Sequence, residues 1–265
     1  MNLFYKSFGH SPNNILILHG LYGSSDNWQT IAKQLSENYT VIVPDIRNHG
    51  RSPHSAVHSY EALASDCVDL LNELNISEVT LIGHSMGGKA AMTFALLFPE
   101  KVKKIIVVDI APRAYQQLTE ASSQVSEHMN ILSGLLSIDL LTVESRAHAD
   151  ELLSSFVSDS RTRQFLLKNL IRKNDGFEWA LNVASLRKNL PLIMSTIPAE
   201  GQFNKPALFI KGELSNYIKS SDNEVIKQFF PKAELITLFD AGHWIHAEQP
   251  EAFMAAVNVF LESEA

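Results

Sequence analysis

Gly83-His84-Ser85-Met86-Gly87 sets a serine between two glycines, the pattern of a nucleophile held on a sharp turn between a strand and a helix. The flanks fit that turn. Val79–Ile82 is an apolar run of strand type, and Met86–Phe98 has helical periodicity. Gly83 and Gly87 fall where neighbouring chains approach too closely for a Cβ. A serine hydroxyl is a weak nucleophile at neutral pH and needs a base within hydrogen-bonding reach. Of the ten histidines, His243 follows the last strand and a glycine turn in Phe239-Asp240-Ala241-Gly242-His243-Trp244 and precedes a C-terminal helix. His246, one helical turn further on, is its rival but lacks the preceding glycine. His10, His54, His58, His128 and His148 lie in polar or helical surroundings and are expected at the surface. The chemistry expected of Ser85 with His243 is acyl transfer through a serine-bound intermediate.

The elements that must position these groups alternate. Ile15–Leu18, Val41–Val43, Val79–Ile82, Ile105–Val108, Ala207–Ile210 and Leu235–Leu238 are short apolar runs rich in β-branched residues and read as buried strands. Trp28–Leu35, Tyr60–Leu74, Met86–Phe98 and Ser220–Phe230 read as helices, and Pro250–Leu261 as a C-terminal helix with Pro near its start. The alternation predicts an α/β fold, a mostly parallel central sheet flanked by helices. It breaks between about Ala111 and Pro206, where no strand is legible and the pattern is helical. The expected organisation is a core of residues 1–111 and 201–265 with a helical cap inserted at 112–200.

The 265 residues suffice for a full core, and 45% apolar composition excludes disorder. A net charge of −7 with interspersed signs offers no stripe for a nucleic acid backbone. Cys67 is the single cysteine, so an internal disulfide and a thiolate zinc cluster are both excluded. The N-terminus lacks a secretory pattern and there is no long apolar span. A cytoplasmic, non-membrane protein is expected, a monomer or weak homodimer, with no metal or organic cofactor.

His19-Gly20 after a strand, Asp45-Ile46-Arg47-Asn48-His49-Gly50-Arg51-Ser52, the turn around Ser85 and the late Ala241-Gly242-His243 together resemble the α/β-hydrolase superfamily of serine esterases. The Arg47–Ser52 run, Val108-Asp109-Ile110-Ala111-Pro112 and the stretch ending Asn189-Leu190-Pro191 narrow the resemblance to YbfF-like bacterial esterases. Most of the superfamily carries an acid after the strand matching Ala207–Ile210, but here Gly212-Glu213-Leu214-Ser215 has serine at that position. Asp109, at the end of the strand next to the one bearing Ser85, is the alternative, with Glu213 behind it. The resemblance implies that Asp109 orients His243 and that Ser215 also hydrogen-bonds this histidine. It implies further that the oxyanion is held by the backbone N–H groups of Met86 and Leu21, the latter within His19-Gly20-Leu21-Tyr22-Gly23. Short-chain acyl esters and acyl-CoA thioesters are the implied substrates. Arg47 and His49 are expected to pack loops together. In the cap, Phe156, Phe165, Leu166, Leu170, Trp179 and Leu186 form either inter-helix packing or an acyl tunnel. Arg161, Arg163, Arg172, Lys173, Arg187 and Lys188 form either a solvated face or a receptor for an anionic substrate, with Arg187 and Lys188 the candidate substrate-binding pair.

Overall fold

Each of the six apolar runs forms a strand in the computed structural model, which describes residues 1–115, 124–174 and 176–263. In chain order the elements are β1 (Tyr5–Phe8), β2 (Asn14–Leu18), α1 (Gln29–Leu35), β3 (Thr40–Pro44), α2 (Tyr60–Glu73), β4 (Val79–His84), α3 (Met86–Leu97) and β5 (Val102–Val108). Then come α4 (Gln124–Ser137), α5 (Arg146–Ser154), α6 (Ser160–Leu167), β6 (Leu170–Lys173), β7 (Gly176–Trp179) and α7 (Val183–Ile193). The chain closes with β8 (Ala207–Gly212), α8 (Asp222–Phe229), β9 (Ala233–Leu238), α9 (Ile245–Glu248) and α10 (Pro250–Glu262). Seven strands form one sheet in the order β1-β3-β2-β4-β5-β8-β9. All neighbours are parallel except β1, which pairs antiparallel with β3.

The inner strands are apolar on both faces because both faces are covered. Successive residues point to opposite sides: Leu16 and Leu18 join a core with Leu63 and Leu70 of α2 and Phe94 of α3, whereas Ile15 and Ile17 join another with Ile31 and Leu35 of α1 and Phe253 and Val257 of α10. Among the described residues no helix is long and apolar enough to cross a membrane.

Two sets of strands were not expected. β1 is a half-exposed edge strand, Tyr-Lys-Ser-Phe, with no apolar run to betray it. β6 and β7 form a separate antiparallel hairpin inside the segment expected to be helical. Their Leu-Ile-Arg-Lys and Gly-Phe-Glu-Trp sequences are half exposed, and Leu170 happens to continue the helical spacing of Phe165 and Leu166.

Between β5 and β8 the chain leaves the sheet, and its described part packs α4 on α7 and α5 on α6. Leu166, Leu170 and Leu186 are fully buried in this packing and Trp179 donates from Nε1 to the Leu135 carbonyl, so these residues form no tunnel. The segment is tied to the sheet by polar contacts. Asn182 donates from its backbone N–H to the Asn48 carbonyl at 3.0 Å and from Nδ2 to Asn48 Oδ1 at 3.1 Å. Asn169 Nδ2 reaches the Tyr22 carbonyl at 2.8 Å, and Ser185 Oγ the Ser55 carbonyl at 2.7 Å. Buried and satisfied, such bonds fix one seating of the segment.

Candidate active site

Ser85 sits at the junction of β4 and α3 with φ 53° and ψ −120°, a conformation disfavoured for any residue with a Cβ. Two backbone bonds hold it there, its N–H to the Val108 carbonyl at 3.0 Å and its carbonyl from the Lys89 N–H at 3.1 Å. The glycines are required by space: a Cβ on Gly87 would lie 2.2 Å from the Leu18 carbonyl oxygen, and one on Gly83 would lie 2.4 Å from the Gly87 carbonyl oxygen.

Asp109 extends β5 by one residue, at φ 51°, and is wholly buried. Its carboxylate has three donors. His243 Nδ1 reaches Oδ2 at 2.8 Å, Ser215 Oγ donates to the same oxygen, and the Gly212 N–H reaches Oδ1 at 3.2 Å. With Nδ1 donating, His243 is left with Nε2 as its free acceptor. Ser215 therefore touches the acid, and through it the histidine. Tyr217, which sequence reasoning did not single out, stacks its ring on His243 at 3.9 Å between centroids and 16° between planes, while its N–H donates to Ser215 Oγ at 3.2 Å. From beneath, His84 donates Nε2–H to the His243 carbonyl at 2.8 Å. Glu213 instead accepts the Asp240 N–H at 3.1 Å, in an exposed turn.

The loop after β2 is pinned by two histidines whose tautomers follow from their partners. His19 accepts the Ile46 N–H on Nε2 at 2.9 Å and donates Nδ1–H to the Gly20 carbonyl at 2.8 Å. His49 accepts the Tyr22 N–H on Nε2 at 3.2 Å and donates Nδ1–H to the Arg47 carbonyl at 3.0 Å. Since Tyr22 is taken, Leu21 is the neighbouring amide with no acceptor among the described residues. Met86 opens α3, where a backbone N–H has no intrahelical partner. Arg47 forms a bidentate pair with buried Asp66 at 2.6 and 2.7 Å, away from the serine.

Ser85, His243 and Leu21 line one cavity of about 360 Å³, a size usual for small-molecule sites. Phe165 alone of the six cap apolar residues reaches it, and His246 is also in its wall. His246 is stacked on Trp28 at 4.1 Å, and burial pushes its pKa down to about 3, so it is a poor base. Arg187 and Lys188 are brought neither to this cavity nor to the Asp109–His243 contact: both are exposed on α7, where Arg187 donates to Ser133 Oγ at 2.6 Å. Among the described residues no group of three or more His, Cys, Asp and Glu is set to hold a metal.

Of the histidines expected at the surface, His58 is buried and His128 is half-buried. His58 is 1% exposed, against Asn48 and Met86, and His128 lies between the hydroxyls of Tyr22 and Tyr217. Burial lowers both pKa values to about 4, and lowers those of His19, His49 and His84 as well. The unfolded chain binds more protons than the folded one wherever pH lies between these depressed values and 6.5, so stability falls as pH falls through that window. His58 alone contributes a loss of about 3 kcal/mol by pH 4. The thermal midpoint should therefore drop steadily from about pH 6.5 to about 5.5, above the range in which ordinary carboxylates titrate. A flat midpoint there would contradict the burial of these rings.

The model of the alpha/beta hydrolase fold family matches residues 13–250. The sn-1-specific diacylglycerol lipase ABHD11 of Danio rerio is 37% identical over 267 residues, covering 99% of this chain and 83% of its own. Esterase YbfF of Escherichia coli is 35% identical over 254 residues, covering 95% and 94% respectively. A solved structure, a marine microorganism esterase, superposes with a TM-score of 0.93 at 45% identity over 97% of this chain and 98% of that one. The chain belongs to the alpha/beta hydrolase family, among its esterases and lipases.

Proposed function

We propose that this carboxylic ester hydrolase cleaves small acyl esters through an acyl-enzyme on Ser85, with His243 as base and Asp109 as its orienting acid. The observation that carries the reading is the 2.8 Å contact from His243 Nδ1 to the buried Asp109 carboxylate, beside a cavity that His243 shares with the strained serine. His243 Nε2 takes the hydroxyl proton as Ser85 Oγ attacks the acyl carbon. The Leu21 and Met86 amides receive the negative charge, and Nε2–H then protonates the departing alcohol. Water enters by the same route in reverse and releases the acid and the free serine. The segment inserted at 112–200, whose described part holds four helices and the β6-β7 hairpin, acts as a cap over this cavity. Acyl-CoA is not included, because the cations that suggested it lie outside the cavity.

A fluorophosphonate probe should label Ser85, and p-nitrophenyl acetate should be hydrolysed, both activities vanishing in Ser85→Ala. Absence of labelling and of turnover in the wild type would leave a binding module on this fold.

A further inference from the structure

Two cavities meet at Ser85. The larger, about 360 Å³, has His243 in its wall; the smaller, about 20 Å³, lies against Met86 and Met194 and does not include His243. On the acyl-transfer reading above, on which this inference rests, His243 must reach the leaving oxygen to protonate it. The acyl carbon stays bonded to Ser85 beside the Leu21 and Met86 amides. The leaving group therefore belongs on the His243 side and the acyl chain on the Met86 side.

We propose that the enzyme takes an acetyl- or propionyl-sized acyl group in the smaller cavity and a bulkier alcohol without negative charge in the larger one. The smaller cavity has room for roughly one water- or methyl-sized group. Met194, Tyr60 and Lys89 close it. Lys89 is 1% exposed, and its ammonium donates to the carbonyls of Arg113, at 2.9 Å, and Ser195. A longer chain must displace Met194, since Lys89 is already buried and tied to two carbonyls and leaves no room on its side. The larger cavity combines the aromatic residues Phe165, Tyr217 and Trp244 with the acidic residues Glu127, Asp159 and Glu248, and no Lys or Arg is among its described lining residues. Aromatic walls bind the body of a bulky alcohol. The three acidic residues are exposed, so a phosphate or sulfonate at the mouth of this cavity meets like charge there.

The test uses 1-naphthyl esters of graded acyl length and a sulfonated 1-naphthyl acetate. For the wild type, kcat/KM should fall by about tenfold or more from acetyl to octanoyl, and by about tenfold from the acetate to its sulfonated analogue. Met194→Ala should raise the octanoyl-to-acetyl ratio by about fivefold or more and Phe165→Ala should not; Glu127→Gln should narrow the sulfonate gap. Equal or better turnover of octanoyl by the wild type overturns the proposal, as does a gain in octanoyl turnover from Phe165→Ala in place of Met194→Ala. Equal rates on the sulfonated and plain acetates overturn the charge preference. The wild-type series decides even if a variant folds poorly. Fluorophosphonate labelling of Ser85 separates the two readings: wrong preferences in a labelled enzyme refute the division of the substrate, whereas no labelling and no turnover refute the serine-esterase reading itself.

Discussion

The Ser85→Gly protein is expected to lose ester hydrolysis by a factor on the order of 10⁶ and yet to unfold at a higher temperature than the wild type. The first effect follows from removing the only atom that can form the acyl-enzyme. The second follows from the backbone. At φ 53° and ψ −120° a residue with a Cβ is strained by about 1–3 kcal/mol, a cost that glycine does not bear. Glycine's greater freedom in the unfolded chain offsets part of this, leaving a net gain of roughly 1 kcal/mol, or about 2–4 °C for a chain of this size. Ser85→Ala is the control, since it is equally inactive but keeps the Cβ and gains nothing. Calorimetry on both variants checks the claim. If Gly and Ala at position 85 melt alike, the turn stores no strain; if either retains more than about a thousandth of the activity, the nucleophile lies elsewhere.

Asp109→Asn should lower kcat/KM by about 10³–10⁴ with little change in substrate binding. The carboxylate receives three donors, and an amide cannot receive all three. If its oxygen faces the Gly212 N–H, its NH₂ faces His243 Nδ1 and forces the ring proton onto Nε2, the atom that must accept from Ser85. The opposite orientation sets NH₂ against N–H, two donors without an acceptor between them. That clash favours the first orientation, in which the base is disabled, and in the second a neutral amide no longer stabilises the imidazolium. Glu213→Gln and Asp240→Asn should be near neutral, since Glu213 only caps the turn at Asp240. Comparable losses in all three variants would dismiss Asp109 as the acid.

The strands that were legible are those with an apolar run, most of them buried on both faces, with the partly exposed β9 read from its own run. β2, β4 and β5 read as strands because both faces are covered, and their side chains have no polar alternation to confuse the pattern. β1 and the β6-β7 hairpin were not legible because a half-exposed strand of four residues carries too few apolar positions to set a period. The same distinction runs through the site. Ser85 announces itself by local glycines, and His243 by its turn. His58 and His128 have polar neighbours in sequence and are enclosed by residues distant in it, Met86 for one and Tyr22 and Tyr217 for the other. Tyr217 gave no signal at all, since stacking on His243 depends on how the β8 loop folds back. Arg187 and Lys188 were singled out by charge alone, and charge does not say which way a helix faces.

β5 lies between β4 and β8, and Asp109 donates its backbone N–H to the Ile210 carbonyl. During synthesis the ribosome delivers β5 long before β8, with the whole segment between Val108 and Ala207 still to be made. For all that time an apolar strand presents an open edge, the condition that invites association between nascent chains. The late-arriving strand both closes that edge and brings in Ser215. Activity in a growing chain, which also needs His243 beyond β9, thus reports that this edge is already closed.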